Sequence, residues 1–441
     1  MHIFLIILFA IIFIVIAITR FKIHPFITLV LASIISGFLI GLDGNTIIEK
    51  INEGFGNTLS SIGIIIALGA IIGTFLEKSG ATSALARYVV GLIGQQRSPL
   101  AMNLTGLLVS IPVFCDAGFI ILSSINKALS KKTGISLVVF AVALSTGLYV
   151  SHVFIPPTPG PLAAAEVLNA DLGLVIVWGL IVGAPIALVG YFWAIKSGKK
   201  LIVNNTTAST DDQIVVSRAH PLNVVAAIII PIVFIALRSV AKYPSFPFGQ
   251  SIFFEIVVFL GNPVIALFIG VLFSLRLVDK KIKRTTRLDW VTISLKEAGI
   301  IILITGAGGA FGNILKSSDL GEILGSQLSD VHVGIFLPFI LAAILKTAQG
   351  SSTVAIITTA TIISPLMGSL GLESELSRTF TVLAIGAGAM TVSHINDSYF
   401  WVVSQFSGMD TKTTLKSHTL ATFFQGIVAV LLLFVLQVIF N

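Results

Sequence analysis

The sequence predicts an all-α polytopic membrane protein made of two inverted-topology repeats. About ten spans, two re-entrant hairpins and two broken helices are expected. Three observations lead there. Of 441 residues, 55% are hydrophobic and only 11% charged, and the mean hydropathy is +1.02; a soluble globular chain carries about a quarter charged residues. Apolar runs of roughly 20 residues, enough to cross a bilayer core, recur along the chain. Two of these runs are interrupted by polar islands, around residues 150–161 and 393–398, and both islands carry Val-Ser-His. Polar backbone at membrane depth is tolerated only where protein buries it or where it lines a wet cavity. Two such breaks, one per half of the chain, mark a transport site.

The same composition excludes other classes. The longest polar stretch, residues 196–220, is a linker rather than a soluble domain. The net charge of +7 resides in short loops, where basic residues signal topology, so no nucleic acid partner is expected. Cys115 is the sole cysteine, which excludes an internal disulfide. The N-terminus lacks a basic n-region and reads as a first helix rather than a signal peptide. No His-Glu-x-x-His, Gly-x-Ser-x-Gly or phosphate-loop pattern occurs, so neither an enzyme, a metal site nor a cofactor is expected.

Residues 1–200 form the first repeat. Spans are expected at 2–19 and 25–42, followed by a polar loop over 43–57. The span at 61–76 carries Gly63, Gly69 and Gly73, which allow close helix contact. Residues 77–98 read as an interfacial amphipathic helix. Residues 99–130 are broken near Pro112 and Gly118; each arm is too short to span, so a hairpin is expected. A broken helix at 135–168 and a span at 172–195 close the repeat. A cytoplasmic linker over 201–220 leads to the second repeat, residues 221–441. It holds spans at 221–240, 252–275 and 298–315, an interfacial stretch at 318–330, and a hairpin near 334–366 broken at 347–353. A broken helix near 380–406 and a final span at 419–440 complete it. Gly69 and Gly73 align with Gly308 and Gly312, and His152 aligns with His394. Every basic cluster falls on the cytoplasmic side only if both polar breaks are hairpins, which inverts the repeats and leaves both termini outside.

The chemistry is expected where the hairpin tips meet the helix breaks. The second tip offers Thr347, Gln349, Gly350, Ser351, Ser352 and Thr353, and Lys346 is a cation just before it. With Thr158, Ser393 and Asn396 from the breaks, these groups suit a small polyhydroxy carboxylate. Its carboxylate would meet Lys346 and half-helix N–H groups, and its hydroxyls the side-chain oxygens. Alternatively the hydroxyls bond back to their own helices and Lys346 snorkels to the surface. Asp116 and Asp397 are candidate proton carriers at mid-membrane, or helix caps. His152 and His394 are candidate proton relays, or hydrogen-bonded struts at the breaks. Exposed carbonyls and hydroxyls there could instead hold sodium. Pro156, Pro157, Pro159 and Pro161 remove backbone donors and hold the first break open. An intramembrane enzyme would need a nucleophile beside a base, but adjacent Ser393 and His394 would diverge on a helix.

Four segments carry a family resemblance over nearly the whole chain: Pro112-Val-Phe114, Ile155-Pro-Pro-Thr-Pro-Gly-Pro161, Thr347-Ala-Gln-Gly-Ser-Ser-Thr-Val-Ala355 and Ser393-His-Ile-Asn-Asp-Ser398. Together they resemble the gluconate permease family. The resemblance implies a proton symporter for gluconate or a related small hydroxy acid, sited in the bacterial inner membrane. Relatives take up other sugar acids, glycerate or D-serine. The wider ion transporter superfamily is similar in its inverted repeats and hairpins, and implies a homodimer embedded in lipid. Two positions depart from the pattern: Phe114-Cys-Asp116 stands where aromatic-Glu is expected, and Lys346 where Arg is common. Both bear on which acid is carried.

Overall fold

The computed structural model describes residues 2–198, 221–242, 252–279, 281–317, 334–395 and 397–440, and every regular element among them is helical. The expected linker, the loop after Lys242, Lys280, the interfacial stretch after Ser317 and Asn396 lie outside these residues. Among the described residues six helices are long and apolar enough to cross a membrane, or seven if one bent pair counts as a span. The other expected spans are α1 (His2–Thr19, 18 residues), α2 (Pro25–Ile40, 16 residues) and a broken pair described below.

Helix α3 (Gly44–Lys78) corrects the expected loop at 43–57, because its polar half is already helical. Asp43 caps it, accepting from the Asn45 and Thr46 amides at 3.0 and 3.2 Å. That half is then covered by α13, so apolar content was not required to make it helical. The Lys50 carbonyl accepts from Asn313 Nδ2 at 2.8 Å, and a Cβ on Gly54 would stand 2.5 Å from the Gly309 carbonyl. Helix α4 (Ala81–Ile93) buries Ala81 to Ala86 and exposes Arg87, Tyr88 and Leu92. The first hairpin pairs α5 (Ser98–Val109) with α6 (Cys115–Thr133). The first broken helix joins α7 (Leu137–Phe154) to α8 (Pro159–Val167), and α9 (Leu172–Gly198) follows.

The second half opens with α10 (Pro221–Ala241). The expected single span at 252–275 is two helices, α11 (Ile252–Leu260) and α12 (Pro263–Leu275), bent by 65°. Asn262 accepts from the Val264 amide and Pro263 follows at the first helical position, so the chain restarts a helix there. Helix α13 (Arg284–Lys316) begins well before the expected residue 298. The second hairpin pairs α14 (Phe336–Gln349) with α15 (Ser352–Ile363). The second broken helix joins α16 (Glu375–Met390) to α17 (Ser398–Phe406). Helix α18 (Leu420–Phe440) is entered through Thr411–Thr414 and a π-helical turn, Leu415–Thr419. Hairpin, broken helix and closing helix thus recur in the same order in both halves.

Close packing places these parts together. A Cβ on Gly73 would fall 2.2 Å from the Pro112 carbonyl, so α3 lies directly on the first hairpin tip. A Cβ on Gly69 would lie 3.4 Å from Pro157 in the first break. Gly63, expected to serve the same purpose, has only Ile302 at 4.0 Å. Gly308 and Gly312 lie against Thr361 of the second hairpin. Gly160 of α8 packs on Ile356 of α15, which brings the first break to the second hairpin. Phe119 of α6 and Tyr399 of α17 meet edge to face at 6.3 Å, which brings the first hairpin to the second break.

Candidate transport site

The second hairpin turns at Gly350, whose φ of 87° is a left-handed value that suits glycine. Lys346, one turn back, donates to the Gly350 carbonyl at 2.9 Å and lies 2.7 Å from Asp397 Oδ2. Its side chain has no solvent exposure and that of Asp397 has 5%. Lys346 therefore does not snorkel. The carboxylate that lies against it in this structure is the chain's own.

Asp397 is held from three sides. As the N-cap of α17 it accepts from the Tyr399 amide at 3.1 Å through Oδ1. Oδ2 accepts from Ser393 Oγ at 2.5 Å and from Lys346. Of its two sequence readings, proton carrier and helix cap, the geometry displays the cap. The break before it is strained: β-branched Val392 sits at φ 57°, a conformation costing about 1–3 kcal/mol. Helix α18 and the π-helical turn before it hold it there. The Ser393 amide donates to Thr422 Oγ1 at 3.1 Å, and Thr419 Oγ1 donates to the Ser393 carbonyl.

The remaining sequence-derived residues divide into two groups. His394 Nε2 lies 3.0 Å from the Thr347 carbonyl, so it ties the second break to the second tip. Ser352 is buried and interacts with Tyr149 of α7. Asp116 lies in the first turn of α6, with Oδ1 buried and unpartnered among the described residues, and interacts electrostatically with Asp397 and Lys346. His152 is buried between Tyr149, at 6.4 Å, and Phe114 of the first tip, at 6.2 Å; among the described residues its Nδ1 has no hydrogen-bond partner. It too interacts with Asp397 and Lys346. Thr353 is half-buried and Thr347 exposed at the tip. The other group is committed to its own backbone. Ser351 accepts from the Val354 amide as the cap of α15, and Thr158 Oγ1 donates to the Ile155 carbonyl at 2.6 Å. Asn396 is outside the described residues, and so is the Gln349 side chain.

Sequence reasoning missed a ring of residues behind Asp397. His418 is fully buried, with Nε2 3.2 Å from Ser393 Oγ and Nδ1 3.0 Å from Ser145 Oγ. Tyr399 donates to the Ser145 carbonyl at 3.0 Å, and Tyr149 to the Ala389 carbonyl at 3.2 Å. The signal was present: His418, Thr422 and Gln425 recur at helical spacing along one face of the last span. A cavity of about 400 Å³ lies at the far end of α8, away from the ion pair, lined in part by Glu166, Asp171, Arg238 and Lys242.

Paired hairpins and broken helices around a buried ion pair are the architecture of a membrane transporter. Comparison with known proteins agrees. The GntP family permease model matches residues 2–439, and the chain belongs to that family. It is 33% identical over 451 residues to the gluconate permease of Pseudomonas aeruginosa, covering 98% of this chain and 97% of the relative. It is 34% identical over 443 residues to the D-serine transporter DsdX of Escherichia coli K12, with the same coverage. Its fold is similar to that of the YdaH transporter of Alcanivorax borkumensis, with a TM-score of 0.68 and 14% identity over 94% of this chain and 98% of that one. The MtrF structure from Neisseria gonorrhoeae is similar too, with a TM-score of 0.69 and 15% identity over 95% and 96%.

Proposed function

We propose that this chain is a proton-coupled carrier that takes up gluconate, or a related small hydroxy or sugar acid, by alternating access in the bacterial inner membrane. The observation that carries this is the Lys346–Asp397 pair. An incoming carboxylate seeking Lys346 competes with Asp397 for it. Once displaced, Asp397 is an anion without its counterion in a buried site, which is strongly unfavourable. Protonation relieves that cost. Substrate binding and proton binding then favour each other, which is coupling in the thermodynamic sense. The hydroxyls of Thr347, Ser352 and Thr353 suit the hydroxyl-bearing remainder of the acid.

One proton with one monoanion moves no net charge, so the membrane potential would not drive that cycle. Exposed apolar side chains such as Phe192, Phe253 and Val438 suit a lipid surround. The inverted repeats and a homodimer are supported by resemblance; cysteine crosslinking in membranes tests the dimer. D-serine is the second substrate reading, favoured by the likeness to a D-serine transporter. It too carries a carboxylate and a hydroxyl. The deciding experiment is uptake of labelled gluconate, and separately D-serine, into proteoliposomes under an inward pH gradient, with and without sodium. Uptake that follows the pH gradient and ignores sodium supports the proposal, whereas sodium-dependent uptake overturns proton coupling.

A further inference from the structure

Both ring nitrogens of His418 face a serine hydroxyl, and the two serines differ in a way that matters. A serine has one proton to donate. Ser393 donates its own to Asp397, so toward His418 it is an acceptor, and Nε2 carries the hydrogen. Ser145 has two acceptors within reach, His418 Nδ1 at 3.0 Å and the Val142 carbonyl at 3.1 Å. When Nδ1 is bare, Ser145 donates to it. When Nδ1 carries a proton, Ser145 turns to Val142 and accepts from the ring. Nδ1 is therefore hydrogen-bonded with or without a proton, and no heavy atom moves. The chain Lys346–Asp397–Ser393–His418–Ser145 leads away from the ion pair toward the first half of α7. That end of α7 follows Lys127, Lys131 and Lys132, and His418 itself follows Lys412 and Lys416, so both elements approach the side expected to be cytoplasmic.

We propose that His418 is the exit relay for the coupling proton, with Ser393 and Ser145 as its hydroxyl partners. This rests on the proton-coupled reading above. In the loaded state, neutral Asp397 donates to Ser393, Ser393 donates to bare Nε2, and Nδ1–H donates to Ser145. On release, the Asp397 proton moves to Ser393 Oγ as the Ser393 proton moves to Nε2, and the Nδ1 proton leaves past Ser145. Only O–H and N–H bonds form and break. His418 is neutral before and after, Asp397 ends as the anion, and one proton is released. The end state is the hydrogen-bond pattern of the structure, with Asp397 back on Lys346. Among the described residues, the charged groups acting on His418 are Asp397 and Lys346. Tyr399, the other titratable neighbour, presents its ring at 5.5 Å and directs its hydroxyl to the Ser145 carbonyl.

The test compares two transport modes in proteoliposomes, using whichever of gluconate and D-serine the wild type carries. Net uptake under a pH gradient requires proton release. Exchange of labelled for unlabelled substrate at equal pH lets the carrier return loaded, with the proton retained. For His418→Gln, net uptake is expected to fall about a hundredfold, the scale of a lost proton-transfer group, while exchange persists. Ser145→Ala is expected to show the same split more weakly, and decides the matter if His418→Gln does not fold. Loss of both modes in a folded variant would make His418 a structural residue, and retention of both would leave it no part in release; either overturns the inference. A wild type that exchanges substrate yet ignores the pH gradient refutes proton coupling itself, a different and distinguishable failure.

Discussion

Lys346 and Asp397 belong to different helix interruptions, yet their charged atoms meet at 2.7 Å with almost no solvent contact. The pair fastens the second hairpin tip to the second break. It also makes the site electrically complete before any substrate arrives.

Removing one partner is expected to be worse than removing both. Lys346→Met or Asp397→Leu alone leaves a buried charge unpaired, at a cost of about 3–5 kcal/mol. The double substitution is expected to recover part of that loss, and none of the three to accumulate substrate. Thermal unfolding of the purified proteins forms the cycle, and additive losses would show that the two residues do not act as a pair.

Asp116→Asn is expected to behave differently. Its buried Oδ1 has no hydrogen-bond partner among the described residues, so neutralisation breaks no described bond there and the melting temperature is expected to hold or rise. Because Asp116 acts on Asp397 electrostatically, the pH at which uptake is half-maximal is expected to shift. A large loss of stability with unchanged pH dependence would assign Asp116 a structural role.

Glycine contacts give a paired control. Gly73→Ala drives a methyl group into the Pro112 carbonyl, a backbone atom that cannot rotate away, and is expected to displace the first hairpin tip at a cost of about 1–3 kcal/mol or more. Gly63→Ala meets only Ile302 at 4.0 Å and is expected to be harmless. Expression, melting temperature and uptake of the two variants check this; equal effects would contradict the packing described.

The hairpins and breaks were legible because Gly350, the prolines around Thr158 and the Ser393–Asp397 island interrupt otherwise apolar runs. The helical ends of α3 and α13 were not, since their polar halves follow no membrane pattern: that of α3 packs on the far end of α13 through Asn313, Gly54 and Gly309, and that of α13 sets Trp290 against Phe75 of α3. The bend at Asn262 carried a local signal in its Asn-Pro pair, masked by strong hydrophobicity on both sides. In the site, Lys346 and Asp397 were individually legible as costly charges. Their pairing was not, because it depends on how two separate breaks meet. His418 was hidden behind Lys412 and Lys416, which read as topology markers.

Thr158 offers a direct check on a residue expected to face the ligand. Its hydroxyl already bonds the Ile155 carbonyl, so Thr158→Val is expected to leave KM unchanged and to cost about 1 kcal/mol of stability. A raised KM with unchanged melting would return Thr158 to the substrate site.

On the proposed mechanism a substrate carboxylate and Asp397 exchange places on Lys346, so that binding substrate binds a proton. Calorimetry of gluconate or D-serine binding to the purified protein, repeated in buffers of different ionisation enthalpy, counts those protons directly. Uptake of up to about one proton per bound molecule in the wild type, abolished in Asp397→Asn, is the expected result. Binding with no proton taken up at any pH from acid to neutral would contradict it.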